Sequence, residues 1–203
     1  MQIPIIISLV LSATTLPSIS PTTQQELFQQ SNSISFFKSK NTLKSIYLQS
    51  NKNHTFYCGC SFDTNKQIDH DSCNYSPRIK SNKRSHRLEF EHIVPAHALG
   101  KNLQCWKKPI CEKRNGKKYK GRKCCSKISD EYKQMQSDMH NLFPAVGEVN
   151  GDRSNFIFGE IYGEERKYGQ CDFEVAERIA EPKKSIRGDI ARSYFYMSHQ
   201  YKM

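Results

Sequence analysis

Two neighbouring residues, Glu91 and His92, could activate a water molecule beside a divalent cation. An imidazole can accept a proton from water because its pKa lies near neutral pH. A carboxylate oxygen is a ligand that hard cations such as Mg2+ prefer. A Glu-His pair is weak support for such chemistry by itself, since histidines with purely structural hydrogen bonds are commoner. A functional interpretation therefore needs further groups.

A second segment, residues 138–156, is rich in side chains that bind metals and phosphates. An asparagine oxygen, as in Asn150, is a suitable Mg2+ ligand. Plainer interpretations stay open, because Asn150-Gly151 is also a common turn dipeptide and Asp138 could be a charge on a helix face. The candidate groups of this segment are Asp138, His140, Asn141, Glu148, Asn150, Asp152, Arg153 and Asn155.

The elements that must position these groups are a strand and a helix. Apolar residues between Leu88 and Val94 predict a strand that ends at Pro95. Neighbouring side chains in a strand point to opposite faces, so Glu91 and His92 can serve one site only if the strand ends or bends there. Downstream, apolar residues at helical spacing predict a helix that begins at Ser129 and reaches Leu142, where Pro144 should stop it.

The remaining elements follow from apolar spacing and turn residues. Helices are predicted over 36–47 and over 190–201, and a short strand over 55–58. Residues 61–83 should be mostly loop, and residues 148–155 a short element interrupted by glycine. A chain of 203 residues with no internal repeat predicts one domain.

The charge of the chain points to a polyanionic partner. Lys and Arg number 31 against 20 Asp and Glu, which gives a formal net charge of +11. Nucleic acid and anionic membrane surfaces are the usual partners of so basic a protein. Residues 101–127 are especially basic, with Glu112 as their one acid, and should form an exposed loop. A solvated charged loop without a ligand is the plainer interpretation, and charge does not separate a binding protein from an enzyme.

The first twenty residues carry no charge and contain a short apolar run from Ile3 to Leu11. This pattern is typical of a secretory signal, and the run is too short to span a bilayer. An apolar N-terminal tail is the alternative. We therefore expect a signal peptide over 1–20 and a mature domain over 21–203, without stable membrane association.

Eight cysteines follow this segment, and an even number in a secreted chain indicates disulfides. Eight cysteines allow about 105 pairings, and the sequence does not choose among them. Zinc is the competing interpretation. Zinc ligands usually come in C-x-x-C pairs, whereas C-G-C and C-C spacings occur here, so disulfides are favoured.

Five sequence blocks occur in order along the chain: YCGC (57–60), EFEHIVPA (89–96), DMHNLFPAVGEVNGDRSN (138–155), YGQC (168–171) and RGDIARSYFYM (187–197). Together they resemble the bacterial endonuclease I family of periplasmic and secreted nonspecific nucleases. The resemblance implies an α+β fold, a mostly helical single domain with a ββα-metal core, braced by disulfides.

The same resemblance implies individual roles. His92 matches the general base that activates water. Glu91 and Asn150 match the protein ligands of one divalent metal, Mg2+ with Mn2+ or Ca2+ as possible substitutes. Arg122 matches the arginine that holds the phosphate near the cut. Glu148 and Asp138 could orient these ligands by hydrogen bonds without binding the metal themselves.

The expected activity is sequence-nonspecific cleavage of DNA and RNA outside the cytoplasm by a monomer, with 5′-phosphate and 3′-hydroxyl products. A nonspecific nuclease should bind phosphates rather than read bases. Alternatives are a secreted nucleic-acid-binding protein without catalysis, an effector nuclease that acts inside a target cell, and a cationic membrane-active protein. The predicted helices lack the strong basic amphipathic pattern of the last class. Predicted nucleic-acid contacts are Lys120, Lys123, Arg153, Arg187 and Arg192.

Overall fold

A two-stranded antiparallel sheet carries the Glu-His pair. The computed structural model describes residues 35–163 and 165–203, so the predicted signal segment lies outside the described residues. Strand β1 (Leu88–His92) pairs with β4 (Leu142–Val146), with His92 opposite Leu142. The predicted strand is confirmed, and Pro95 is the residue that precedes the next helix.

Helix α6 (Gly147–Arg153) follows β4 directly and completes a ββα unit with β1 and β4. Only glycine fits its first position, because a Cβ on Gly147 would lie 2.6 Å from the carbonyl oxygen of Arg84. The unit therefore confirms the ββα core that the sequence predicts.

The predicted helix over 129–142 is much shorter in the structure. Ser129 does cap a helix, α5 (Asp130–Ser137), through a hydrogen bond from the Tyr132 amide to its hydroxyl. The helix then ends, because the Asp138 side chain accepts the amide hydrogen of His140 and begins a separate 3-10 turn. The prediction that it continues to Leu142 is therefore wrong.

Pro144 lies inside β4 rather than after a helix. Its register partner is Phe90, and β1 is the one strand that pairs with β4 among residues 35–163 and 165–203. A proline lacks an amide hydrogen and is tolerated on the unpaired side of such an edge strand. Its carbonyl accepts a hydrogen bond from the Phe56 amide at 2.7 Å.

The basic segment is more ordered than a loop. It contains α3 (Gln104–Lys107), a hairpin of β2 (Cys111–Glu112) and β3 (Lys118–Tyr119), and α4 (Arg122–Ile128). The loop prediction is wrong here because two disulfides, Cys105–Cys125 and Cys111–Cys124, fold the segment back on itself. Most of its side chains are exposed, as predicted.

The N-terminal part of the described chain mostly follows prediction. Helix α1 (Phe36–Gln49) is where apolar spacing predicts it, and α2 (Ala96–Gly100) follows β1. Residues 61–83 are mostly irregular. Residues 55–58 form a turn rather than the predicted strand, and a hydrogen bond from the Gly59 amide to the Thr55 carbonyl closes it.

A three-stranded sheet near the C-terminus was not expected. Strand β7 (Ile179–Pro182) is central and pairs with β5 (Ile157–Phe158) and β6 (Phe173–Ala176). Strands of two to four residues are too short to show an alternating pattern. Helix α7 (Arg187–Tyr201) then follows and confirms the last predicted helix.

Two buried clusters stabilise these elements. The larger one surrounds β1 and β4, and the smaller one contains Tyr132, Met135 and the four cysteines of the basic segment. The other disulfides are Cys58–Cys171 and Cys60–Cys73, so all eight cysteines are paired, as predicted. Among residues 35–163 and 165–203, no helix is long and apolar enough to cross a bilayer.

The two disulfides of the larger cluster should differ in their effect on stability. Cys58–Cys171 joins residues 113 apart, and Cys60–Cys73 joins residues 13 apart. Loop-closure entropy gives about 5 kcal/mol for a loop of ~100 residues and about 3 kcal/mol for one of ~15. In urea unfolding, Cys58→Ala/Cys171→Ala should therefore lose more free energy of unfolding than Cys60→Ala/Cys73→Ala. The opposite order would contradict the entropic account.

Candidate active site

One cavity of about 670 Å³ brings together the four residues for which the sequence predicts direct roles. Glu91 and His92 come from the end of β1, Asn150 from α6, and Arg122 from the first position of α4. These three elements are distant in sequence, so the common position of the four residues is a result of the fold.

Glu91 and His92, which are adjacent on β1, both line the cavity because the strand ends at His92. Side chains rather than a third strand bind the backbone beyond that point. Arg153 donates hydrogen bonds to the carbonyls of His92 and Ile93 at 2.9 and 2.7 Å. The Asn141 side chain binds both the amide and the carbonyl of Val94, at 2.7 and 3.0 Å. The bend that the sequence analysis required is thus fixed by polar contacts.

The His92 ring is held in one tautomer. Its Nε2 lies 2.8 Å from the carbonyl oxygen of Gln136, which can only accept, so Nε2 carries the hydrogen. Nδ1 of the neutral ring is then a proton acceptor. Burial, followed by the positive charge of Arg122, lowers the pKa of His92 to about 3. The ring is therefore neutral at physiological pH.

Glu91 is buried, with 3% of its surface exposed. Its Oε1 accepts a hydrogen bond from the Tyr57 hydroxyl at 3.0 Å and lies 2.9 Å from Nη1 of Arg153. Burial raises the pKa of Glu91 to about 7, although the Arg153 charge opposes this shift. These contacts use Oε1, so Oε2 is the oxygen that could bind a cation at the cavity.

The amide of Asn150 is oriented by Glu89, a residue that the sequence analysis missed. Nδ2 of Asn150 donates to Oε2 of Glu89 at 2.8 Å. A carboxylate only accepts, so the amide nitrogen must face Glu89 and Oδ1 is the atom left to bind a cation. Hydrogen bonds from Arg84 and Arg87 overcome the effect of burial and lower the pKa of Glu89. Glu89 is therefore an anion fixed on three sides.

Strand β1 and helix α6 hold each other's candidate ligands. Glu89 and Glu91 are two positions apart and share one face of β1. Asn150 and Arg153 are three positions apart and are neighbours on the surface of α6. Glu89 holds Asn150, and Arg153 holds Glu91. A carboxylate and an amide oxygen then remain, which is a donor set suited to Mg2+.

Cationic side chains surround His92 at the mouth of the cavity. The Phe36 ring lies 5.0 Å from the His92 ring. The guanidinium carbon of Arg122 and the amine of Lys40 lie 5.2 and 4.5 Å from the centre of the same phenyl ring. Lys66 also lines the cavity. The sequence analysis missed both lysines, because nothing in the sequence indicates that α1, which carries Lys40, and the turn that carries Lys66 lie beside the end of β1.

A family model named Endonuclease I matches residues 18–203. The chain belongs to the endonuclease I family. It is 47% identical over 153 residues to an extracellular deoxyribonuclease of Aeromonas hydrophila and 46% identical over 153 residues to a periplasmic deoxyribonuclease of that organism. It is 39% identical over 189 residues to endonuclease-1 of Buchnera aphidicola subsp. Acyrthosiphon pisum.

The matched regions cover a larger share of this chain than of each relative. They make up 72% of this chain for both Aeromonas proteins and 87% for the Buchnera protein. They make up 62%, 59% and 70% of the respective relatives. The chain thus spans about three fifths of the length of the Aeromonas relatives that it matches.

Two predicted supporting carboxylates of this endonuclease I family member lie away from the cavity lining. Glu148 is buried and accepts hydrogen bonds from the Tyr75 hydroxyl, from Asn82 and from the amides of Arg78 and Ile79. Its contacts indicate that it fixes the loop before β1.

Asp138 has a comparable structural position near the C-terminal helix. It accepts hydrogen bonds from the hydroxyls of Tyr196 and Tyr201 and from the amide of His140. These contacts tie α7 to the turn after α5.

The predicted nucleic-acid contacts differ in accessibility. Lys120 and Lys123 are exposed on the basic segment, as a phosphate-binding role requires. On α7, Arg187 pairs with Glu160 and Glu181, and Arg192 pairs with Asp189. Neither α7 residue is part of the cavity lining.

Arg153 does not fit the predicted role of a surface phosphate contact. Its exposed fraction is 0%, and it binds Glu91 and the end of β1. A sequence pattern cannot distinguish such an arginine from an exposed one, because the difference depends on which face of α6 packs against β1.

The buried Arg153–Glu91 pair should show strong energetic coupling. Arg153→Met leaves a carboxylate in the interior without its partner, so it should lower the free energy of unfolding by roughly 3–5 kcal/mol. Glu91→Gln added to it should cost less than the sum of the single changes. Arg192→Met is the matched control, since that pair is exposed and should contribute less than about 1 kcal/mol. Equal costs for the two arginine variants in urea unfolding would contradict this.

Proposed function

We propose that this chain is a secreted or periplasmic, sequence-nonspecific endonuclease that hydrolyses phosphodiester bonds of DNA and RNA with one divalent metal. It acts as a monomer and leaves 5′-phosphate and 3′-hydroxyl ends. The observation that carries the proposal is that one cavity is lined by a neutral imidazole, an arginine and two oxygen atoms that could bind a cation. These oxygens are Oε2 of Glu91 and Oδ1 of Asn150.

His92 is the proposed general base. The hydrogen bond from Nε2 to Gln136 fixes the ring, so Nδ1 can take a proton from the attacking water. Burial, and then the positive charge of Arg122, lower the pKa of His92 and keep the ring neutral before reaction. The Phe36 ring against the imidazole limits its rotation.

Glu91 and Asn150 are the proposed ligands of Mg2+, for which Mn2+ or Ca2+ could substitute. When bound, Mg2+ neutralises charge that develops on the phosphate and on the departing oxygen. The protein supplies the orientation of both ligands, through Arg153 and Tyr57 on one side and Glu89 on the other.

Arg122 is the proposed clamp on the scissile phosphate, and other cations of the cavity hold flanking phosphates. Arg84, Arg87, Lys40 and Lys66 line the same cavity. Phosphate contacts carry no sequence information, which agrees with nonspecific cleavage. Because DNA and RNA share these phosphates, both are proposed substrates.

The comparisons support DNA as a substrate and the location that we propose. Two of the relatives named above are deoxyribonucleases, one extracellular and one periplasmic. Four disulfides agree with an oxidising compartment.

Loss of the base should nearly abolish cleavage of plasmid DNA in Mg2+. We expect His92→Ala to reduce the rate by roughly 10²–10⁴-fold, the usual contribution of a general base. His199→Ala, an exposed histidine of α7, should cut like the unmodified protein. EDTA should stop both active proteins. If the unmodified protein binds DNA and leaves it intact in several divalent metals, the non-catalytic binding protein is the better account.

Removal of either proposed ligand should weaken metal binding directly. Isothermal titration of Mn2+ into the protein without nucleic acid should show roughly 10- to 100-fold weaker binding for Asn150→Ala and for Glu91→Gln, which is of the order seen when metal-site contacts are lost. Asn115→Ala, in the exposed hairpin, is the matched control. Unchanged affinity in both variants would assign the metal to other residues.

A further inference from the structure

One wall of the cavity is aromatic rather than charged. Trp106 is the single tryptophan of the chain, and it lies in α3. Its indole lines the cavity together with His97, Pro95 and Ala96. The metal-binding and phosphate-binding roles proposed above do not use this wall.

Trp106 lies beside the proposed phosphate clamp. The amide of Gly121, which precedes Arg122, donates to the carbonyl of Cys105, which precedes Trp106, at 2.9 Å. The Cys105–Cys125 disulfide ties the same two helices. These links make the aromatic wall and the arginine parts of one rigid segment.

The indole of Trp106 packs tightly against residues of α2 and α5. A Cβ on Gly100 would lie 2.2 Å from Cε3 of Trp106, so the glycine allows the ring to lie close against α2. The rings of His97 and Tyr132 each lie 5.8 Å from the indole, at steep angles of 76° and 53°. Trp106 is nevertheless only half-buried, and part of its surface is open to the cavity.

A polynucleotide alternates charged phosphates with flat bases, and the cavity offers the matching pair of surfaces. A phosphate at Arg122 places a neighbouring nucleoside within reach of the adjacent wall. Base stacking on aromatic side chains tolerates every base, because each has a π-face. It thus adds affinity without sequence specificity, as a nonspecific nuclease requires.

We propose that Trp106, with His97 beside it, forms a stacking subsite for a nucleobase next to the phosphate bound by Arg122. The inference rests on the proposed function. A base within a duplex is already stacked on both faces, so the subsite takes an unpaired base. It therefore favours single-stranded DNA or RNA over duplex at this position.

The single tryptophan makes the subsite directly observable. In EDTA, where no cleavage occurs, a single-stranded oligodeoxynucleotide should quench the tryptophan fluorescence of the unmodified protein. An abasic strand of the same length and charge should bind without this quenching, with binding followed by fluorescence anisotropy of a dye on the strand. Equal quenching by both strands, or binding of both without quenching, would overturn the stacking subsite and leave the proposed function standing. Failure of every strand to bind would overturn both.

Two substitutions separate stacking from packing. Trp106→Leu keeps an apolar side chain without a π-face and should weaken binding of the single strand roughly tenfold, with duplex binding changed less than twofold. Trp106→Phe keeps a ring and should stay within about threefold of the unmodified protein for both. Circular dichroism and urea unfolding verify that each variant folds. An equal loss for single strand and duplex in Trp106→Leu would contradict the subsite.

Discussion

The buried ion pair between Arg153 and Glu91 is the interaction on which the rest of the site depends. Removal of a carboxylate and a guanidinium from water is costly, and their attraction offsets this cost only when further hydrogen bonds satisfy both groups. Here Tyr57 binds the carboxylate, and the carbonyls of His92 and Ile93 accept from the guanidinium. Nε of Arg153 is buried without a hydrogen-bond partner among the described residues, so the guanidinium is satisfied only in part. Arg153 thus contacts both Glu91 and the backbone at the end of the strand, so one side chain holds the ion pair and the position of His92.

This arrangement also gives the ββα unit one buried contact pair and one pair nearer the surface. Arg153 and Asn150 lie one turn apart on helix α6, with Arg153 in the interior and Asn150 at the rim of the cavity. On strand β1, Glu91 is buried beside Arg153, and Glu89 lies nearer the surface beside Asn150. The inner pair is shielded from water, whereas the outer pair meets Arg84 and Arg87 near the surface. Two parallel contacts of this kind restrict both sliding and rotation of α6 against β1.

The sequence predicts the chemical groups of this site better than their supports. Glu91, His92, Asn150 and Arg122 line one cavity. The first three lie within the matched blocks, where the local spacing of the reactive groups can be read from the sequence, whereas Arg122 lies outside them. The supports depend on tertiary packing. Three of these features depend on which faces of the helices and strands pack together. They are the burial of Arg153, the contact of Phe36 with His92, and the division of the long predicted helix by Asp138. Short strands such as β5 lack a periodic signal altogether.

The cavity is built between two hydrophobic clusters that contribute different functions. The larger cluster surrounds β1 and β4 and fixes the candidate metal ligands. The smaller cluster, with two disulfides, fixes Arg122 and Trp106. His92 joins them, because it belongs to β1 but its ring is oriented by Gln136 of α5. A hydrogen bond from the Ser39 hydroxyl to the Ser137 carbonyl places α1, and with it Phe36, at the same junction. His92, the proposed base, therefore lies where a displacement of either cluster would change its distance to the candidate metal ligands or to the proposed phosphate clamp. The disulfides of the basic segment act on the site through this geometry, although none of them touches a reacting group.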